Sequence, residues 1–201
     1  MPNWCDTEYH CIGEAQELKA LHDVLSALEK SESPRLDNEF GNLWFGCIID
    51  ALGGNVEKED SWGEVTWYKL EDNALRIGQS TAWHEREGFR EFLERTFPSM
   101  KIYYLDVEPE AGYYFTNDVE RKYFPGDYLL EIVKGDVYFP EFEPCDTIEQ
   151  AAERVSEIIG KQLPADEDAV RAAIDDYMKA QKDTALALHR YERGEWYPRL
   201  I

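Results

Sequence analysis

The stretch from Trp62 to Trp83 constrains the fold most, because it has the pattern of two strands joined by a tight turn. Its first half contains Val65 and Trp67, residue types that suit a half-buried pleated surface. The pair Asp72-Asn73 follows, and both side chains favour turns because they bond nearby backbone and tolerate left-handed angles. From Leu75 onward, larger residues alternate with small or polar ones. The stretch therefore predicts a β-hairpin with one buried face.

The tryptophans of this hairpin have two interpretations. Trp62, Trp67 and Trp83 each carry a large apolar area that a core or its rim can bury. Exposed, the same three side chains would form an aromatic platform for a ligand or partner. Both interpretations stay open on the sequence alone, and the three residues are the first candidates for a binding surface.

Hydrophobic periodicity predicts further elements on both sides of the hairpin. They are a strand over Asn3–Ile12, a helix over Glu14–Lys30, a helix over Glu85–Phe97, and strands over Met100–Val107 and Gly112–Thr116. The order strand, helix, two strands, helix, strand is the ferredoxin-like βαββαβ pattern, an antiparallel sheet with helices on one face. The fold class is therefore α+β, with extra strands and C-terminal helices. The apolar run Leu43–Leu52 is too short for periodicity to separate helix from strand.

The C-terminal third predicts mainly helices. A strand over Tyr128–Val133 precedes a helix over Thr147–Gly160, in which Thr147 and Gln150 have the spacing of a capping box. A longer helix is predicted from Asp166 to about Arg190. We therefore expect a ferredoxin-like domain over residues 1–135 and a C-terminal helical extension over 136–201 that packs on it as one compact unit.

Residues 105–150 combine acidity with aromatic side chains. This stretch holds 12 acidic and 3 basic residues, and nine Tyr or Phe. It is either a packed lobe with its acids in water or an interface whose aromatic anchors have a charged rim. On the second interpretation, Tyr113 and Tyr114 join the three tryptophans as candidate binding residues.

The charge of the chain excludes two classes of partner. With 21 Lys+Arg and 42 Asp+Glu, the formal net charge is −21. Binding to nucleic acid through phosphates needs a basic surface, and so does binding to an anionic membrane. We expect neither. The acidity favours solubility or attraction to a basic protein partner, and self-association is an open alternative.

Neither targeting nor cofactor motifs stand out. No apolar run approaches the roughly 20 residues of a membrane span, and the N-terminus lacks the basic start and apolar segment of a signal peptide. We therefore expect a cytoplasmic protein with reduced cysteines. None of the four cysteines forms a CxxC pair, and neither GxGxxG nor a P-loop occurs, so we expect no metal and no cofactor.

Several short pieces resemble one family. They are Met1-Pro2-Asn3-Trp4-Cys5, Gly13, Trp62-Gly63 with Trp67, Thr81-Ala82-Trp83, and Glu108-Pro109 with Gly112. Together they resemble the YubB-like proteins of plasmids, phages and bacterial genomes, over roughly residues 1–116. The resemblance implies a ferredoxin-like domain and no particular activity. The chain departs from the family pattern at Thr7 and at His84-Glu85-Arg86.

Three functions remain as hypotheses. The first is a non-catalytic protein-interaction or accessory domain linked to mobile elements, since the sequence shows no catalytic constellation beside its acidic, aromatic stretch. The alternative is an acidic mimic of DNA that inhibits a DNA-binding or restriction protein. The second alternative is a metal-dependent hydrolase. An enzyme is the least favoured of the three, because nothing in the sequence assigns a catalytic residue.

Overall fold

The structure is a computed structural model that describes residues 3–109, 112–134, 141–180 and 184–194. Within these residues the chain is α+β, as the sequence predicts. The strands are β1 (Trp4–Ile12), β2 (Gly63–Leu70), β3 (Leu75–Ala82), β4 (Lys101–Glu108), β5 (Tyr113–Thr116), β6 (Tyr128–Lys134), β7 (Glu141–Cys145), β8 (Thr184–Arg190) and β9 (Glu192–Arg193). The helices are α1 (Ala15–Glu29), α2 (Phe45–Ala51), α3 (Glu87–Thr96), α4 (Ile148–Ile159) and α5 (Glu167–Ala180).

The chain divides into two compact units. The first comprises Met1–Val119 with Gly194–Ile201, and the second comprises Glu120–Arg193. The division falls after residue 119, whereas the sequence predicted a boundary near residue 135. Each unit has its own hydrophobic core.

The first unit contains five strands of the larger sheet, in the spatial order β2-β3-β1-β4-β5. Every pair in this series is antiparallel. The register places Tyr9 of β1 opposite Ile77 of β3 and Tyr104 of β4. Since directly opposed residues share a face, these three side chains lie on the same side of the sheet.

The core of the first unit lies on that side, under the helices α1, α2 and α3. Helix α1 buries one stripe at three- and four-residue spacing, Leu18, Leu21, Leu25 and Leu28. Helix α3 buries Phe89, Phe92 and Leu93. The rings of Phe45 and Phe89 stack with their centroids 3.8 Å apart, which joins α2 to α3.

The ambiguous run Leu43–Leu52 contains a short extended piece and then a helix. The carbonyl of Leu43 accepts a hydrogen bond from the amide of Val65 at 3.0 Å, and Trp44 forms an isolated bridge to Glu64. Helix α2 follows at once and is buried from Phe45 to Ile49. Local periodicity could not predict this division because the edge of β2 captures the first residues through tertiary contacts.

A β-bulge in β2 determines which way its tryptophan points. The register with β3 shifts between Val65 and Trp67, which leaves Thr66 without an opposed residue. Val65 faces the core, and Trp67 lies opposite Gly78 on the other face of the sheet. The residue types of this half of the hairpin predict a strand but do not reveal the bulge.

The second unit has an antiparallel sheet in the order β7-β6-β8, with α4 and α5 against one face. Its core contains Leu130, Val155, Val170 and Leu188, each at most 3% exposed. Helix α4 begins as predicted, since the Thr147 hydroxyl accepts a hydrogen bond from the backbone N–H of Gln150 at 3.5 Å. It ends at Gly160, whose φ of 70° is the left-handed cap that glycine favours.

The prediction of one helix from Asp166 to about Arg190 is wrong over residues 184–190. Residues Thr184–Arg190 form β8, which pairs with β6. Leu186 and Leu188 are buried on one face, a spacing of two that suits a strand. Their good helix propensity is overridden by the pairing with β6, because propensity is a weak prior against tertiary contacts. Residues 184–190 of the predicted helical extension are therefore strand.

None of the helices in the described ranges is long and apolar enough to cross a membrane.

The buried stripe of α1 gives a first testable expectation. Replacing Leu21, which is 1% exposed, by alanine should lower the free energy of unfolding of the first unit by about 2–5 kcal/mol, because a cavity remains. Leu70, which is 37% exposed, is the matched control, and Leu70→Ala should cost less than about 1 kcal/mol. Tryptophan fluorescence during urea unfolding measures the stability of the first unit alone, because the second unit has no tryptophan. The first unit contains Trp4, Trp44, Trp62, Trp67 and Trp83. Equal losses for the two variants would contradict the placement of the core.

Candidate functional site

Three exposed tryptophans lie at one end of the larger sheet. Trp4 at the start of β1 lies opposite Ala82 at the end of β3. The carbonyl of Trp62, just before β2, accepts a hydrogen bond from the Ala82 amide at 3.1 Å, and the Trp83 amide donates to the carbonyl of Asn3 at 2.8 Å. Their exposed fractions are 43% for Trp4, 59% for Trp62 and 55% for Trp83. We call these three residues the tryptophan end.

Trp67 lies on the sheet face opposite the helices, which we call the open face. Its indole ring covers Gly78, where an added Cβ would be 1.9 Å from Nε1 of Trp67. The guanidinium of Arg76 lies 5.6 Å from the ring centroid and donates to the Glu8 carboxylate at 2.5 and 2.8 Å. Trp67 is still 42% exposed. Trp67 is thus separated from the tryptophan end by one row of residues.

The two tyrosines proposed with the tryptophans do not lie among the exposed aromatic residues. Tyr114 is only 5% exposed. Tyr113 is half-buried, packs against the core of the first unit and stacks on Phe115 with centroids 6.1 Å apart. We therefore leave both out of the candidate site.

A row of polar residues crosses the open face beside the tryptophan end. Ser80 of β3 is opposite Asp6 of β1 on one side and opposite Glu64 of β2 on the other. Desolvation by the surrounding protein raises the pKa of both carboxyl groups. Sequence reasoning missed this row, because it could predict the strands but not which strands pair with each other.

A buried carboxylate on the core side of the sheet links the backbone segments at the tryptophan end. Asp106 of β4 is fully buried, and its Oδ1 accepts a hydrogen bond from the Thr7 hydroxyl at 2.7 Å. Its Oδ2 accepts one from the backbone amide of Glu85 at 2.7 Å. The hydroxyls of Thr7 and Thr81 are 3.0 Å apart. Burial raises the pKa of Asp106 to about 6, although the hydrogen bonds from Thr7 and Glu85 oppose that change.

Glu85 is the second buried carboxylate, and it follows the tryptophan end by two residues. Its Oε1 accepts hydrogen bonds from the Tyr9 hydroxyl at 2.5 Å and from Nε of Arg90 at 3.0 Å. Burial raises the pKa of Glu85 to about 7, while the nearby Arg90 guanidinium lowers it. Both carboxylates are engaged by the protein's own donors, so the arrangement positions the segment after β3 and exposes no acid or base to solvent.

That segment places Trp83 in an uncommon backbone conformation. The φ angle of Trp83 is 73°, in the left-handed region that costs a non-glycine residue about 1–2 kcal/mol. Its side chain is mostly exposed and recovers little of this cost by burial. The hydrogen bonds from Trp83 to Asn3 and from Glu85 to Asp106 hold the backbone on either side. Such strain is typical of positions that serve binding, not packing.

Gln79 is a buried amide with neither polar atom bonded. It lies opposite Thr7 on the core side of the sheet and is 2% exposed. Neither Nε2 nor Oε1 has a hydrogen-bond partner among the described residues. A buried unpaired donor or acceptor costs about 1–3 kcal/mol, so the Gln79 amide lowers the free energy of unfolding.

The cysteines of the sheet are unsuited to nucleophilic chemistry. Burial raises the pKa of the Cys5 thiol, and the neighbouring Asp106 carboxylate raises it further. Burial also raises the pKa of the Cys11 thiol. Both stay protonated at neutral pH, and the thiol is a poor nucleophile. In the part of the chain that the structure describes, no three His, Cys, Asp or Glu residues are grouped so as to hold a metal ion.

No protein-family model matches the chain, and no curated protein matches it either. The function is therefore inferred from the geometry of the first unit.

The raised pKa of Glu85 predicts a pH-dependent stability. Between the ordinary glutamate pKa of 4.5 and the folded value of about 7, the folded state holds a proton that the unfolded state releases. Folding is therefore favoured at the lower pH, and the free energy of unfolding should fall as pH rises through this window, by about 1.4 kcal/mol per pH unit for one linked proton.

Urea unfolding of the Glu85→Gln variant at pH 5, 6 and 7 measures this contribution. The variant should lose the Glu85 part of the slope and keep the smaller part that comes from Asp106. Glu57→Gln removes an exposed carboxylate and should keep the wild-type slope. An unchanged slope in Glu85→Gln would show that Glu85 is charged in the folded protein throughout this range.

The unpaired amide of Gln79 predicts a stabilising substitution. Gln79→Met keeps the length of the side chain and removes both unpaired atoms, so the free energy of unfolding should rise by about 1–3 kcal/mol. Gln16→Met on the exposed surface of α1 is the control, with an expected change within about 0.5 kcal/mol. Destabilisation by Gln79→Met would mean that a buried water or ligand bonds the amide in solution.

Proposed function

We propose that the chain is a non-catalytic interaction domain that binds a protein partner through the tryptophan end. The observation that carries this proposal is the exposure of Trp4, Trp62 and Trp83 at the ends of three neighbouring strands. Tryptophan is enriched among residues that dominate binding energy at protein interfaces. Three such side chains at one place form a surface that a partner can cover.

The exposed tryptophans contribute little apolar burial to the fold and can contribute more to a complex. Each tryptophan can bury about 150–250 Å² of area, yet Trp62 and Trp83 leave more than half of theirs in water. At about 25 cal/mol per Å² of apolar area, covering the exposed part of either side chain would contribute on the order of 1–3 kcal/mol to binding. The hydrogen bonds of the buried Asp106 and Glu85 fix the backbone at the tryptophan end. Association therefore loses little conformational entropy there.

The proposed domain type is ferredoxin-like. The spatial order β2-β3-β1-β4, with all neighbours antiparallel and helices after β1 and β3, supports it. Two interlocked βαβ units generate this order. The strand β5 extends the series beyond the four strands of the basic pattern.

Kinship with the YubB-like proteins is part of the same proposal. The pieces that resemble the family are separated in sequence, but three of them are neighbours in the sheet: Cys5 and Gly63 both lie opposite Thr81. The resembling residues thus surround the tryptophan end, which supports a shared role for this end of the sheet. That role is binding in our proposal, and no activity is carried over from the family.

A comparison of tryptophan variants tests the function. The tagged full chain, Trp62→Ala, Trp83→Gly and the control Leu70→Ala would each be used to capture proteins from bacterial lysate at moderate salt, with quantitative mass spectrometry. Glycine adopts the φ of 73° freely, so Trp83→Gly should leave stability within about 1 kcal/mol of the wild type. Each tryptophan variant should retain at least tenfold less of the proteins that the wild type and the control share. Equal retention by all four chains would contradict the proposal.

A further inference from the structure

On the open face two carboxylates lie on either side of one serine, and none of the described residues brings a cation to either of them. Asp6 and Glu64 flank Ser80, and neither has an ion pair or a hydrogen bond to its side chain among the described residues. Two strand spacings separate their backbones by about 10 Å. Both carboxylate side chains can therefore contact one cationic group that binds between them. Desolvation raises the pKa of both carboxyl groups, and no cation among the described residues offsets it.

The next row of the same face shows how such a position is filled. There the guanidinium of Arg76 lies over the ring of Trp67 and bonds the carboxylate of Glu8. A guanidinium is suited to both contacts, because it is planar, stacks on aromatic rings and donates two parallel hydrogen bonds to a carboxylate. The protein itself therefore supplies one example of an arginine held by a tryptophan and an acid on this face.

The row at Ser80 has the same components except the cation. Trp4 precedes Asp6 by two residues and so projects from the same face, with 43% of its surface exposed. Trp67 borders the row on the other side. Ser80 lies between the two acids, whereas Gly78 is covered by the Trp67 ring and Ala82 is 2% exposed. Asp6 and Glu64 thus lie on either side of Ser80, and Trp4 and Trp67 lie in the rows before and after it.

We infer that this position receives an arginine side chain of the partner protein, with its guanidinium between Asp6 and Glu64 and against Trp4 or Trp67. The inference rests on the proposed function and names the chemistry of the partner: a basic segment with at least one arginine. Charge complementarity supports it, since a cation would offset the charge of two carboxylates that have no ion-pair partner among the described residues. A tryptophan within about 6 Å of the guanidinium would add cation–π attraction.

A short peptide probe tests the inference on the full chain. The peptide is acetyl-Gly-Arg-Gly-Arg-Gly-Arg-Gly-amide, and its counterpart has citrulline, which is neutral and of nearly the same shape, in place of arginine. Calorimetric titration at about 150 mM salt limits long-range attraction to the acidic surface, because the Debye length is then about 8 Å. The wild type should bind the arginine peptide at least tenfold more tightly than the citrulline peptide.

Matched double variants separate the site from the net charge. Asp6→Asn with Glu64→Gln should weaken binding of the arginine peptide at least tenfold. Glu32→Gln with Glu57→Gln removes the same charge from exposed positions and should change the affinity less than twofold. Equal weakening by the two double variants, or equal affinity for the two peptides, would overturn the inference and leave only general attraction to a polyanion.

The same double variant in the lysate experiment distinguishes this inference from the proposed function. If retention of partners needs Trp62 and Trp83 but tolerates Asp6→Asn with Glu64→Gln, the arginine assignment is overturned and the interaction domain stands. If retention is indifferent to the tryptophans as well, the proposed function fails, and the arginine assignment that rests on it falls with it.

Discussion

The tryptophan end depends on one buried carboxylate. Asp106 receives a hydroxyl from β1 and a backbone amide from the residue that follows β3 by three positions, and each bond is 2.7 Å long. Burying a carboxylate lowers stability unless its oxygens accept hydrogen bonds. The two donors therefore stabilise the Asp106 anion, and Asp106 in turn holds the backbone segment after β3 in place. The backbone of Trp83 is fixed between this contact and the hydrogen bond to Asn3.

The helix-facing side of the first sheet therefore has two chemically different ends. Toward one end the side chains are apolar, as at Cys11, Leu75 and Ile102, and they form the core under the helices. Toward the other end they are polar and buried, as at Thr7, Thr81 and Asp106. Hydrophobic burial stabilises the first end, and hydrogen bonds specify the second. The exposed tryptophans lie at the hydrogen-bonded end, where the backbone is held in place without using their side chains.

Local pattern was sufficient for the regular elements of the first unit. The alternation in β1 and β3 and the leucine stripe of α1 are periodic over enough residues to identify their type. Where tertiary contacts decide, the sequence was insufficient: the edge of β2 captures Leu43, and pairing with β6 makes Thr184–Arg190 a strand. Both cases concern short segments whose partner lies far away in the chain.

The candidate site was only partly predictable, for the same reason. The sequence singled out Trp62, Trp67 and Trp83 by residue type, but it could not show that a bulge at Thr66 turns Trp67 to the open face. It also could not bring Asp6 and Glu64 to either side of Ser80, because that juxtaposition depends on the order of three strands. Among so many acids, only the sheet register distinguishes these two.

The most direct test of binding at this face is a titration of the protein with the arginine peptide, followed through the indole N–H signals in nitrogen-15 NMR spectra. The backbone amide signals of Leu130 and Val155, which are buried in the core of the second unit, are the internal reference in the same spectra. We predict that the indole signals of Trp4 and Trp67 shift on saturation while these two amide signals stay in place. Shifts of similar size in the indole and reference signals, or none at saturating peptide, would contradict an arginine site on the open face.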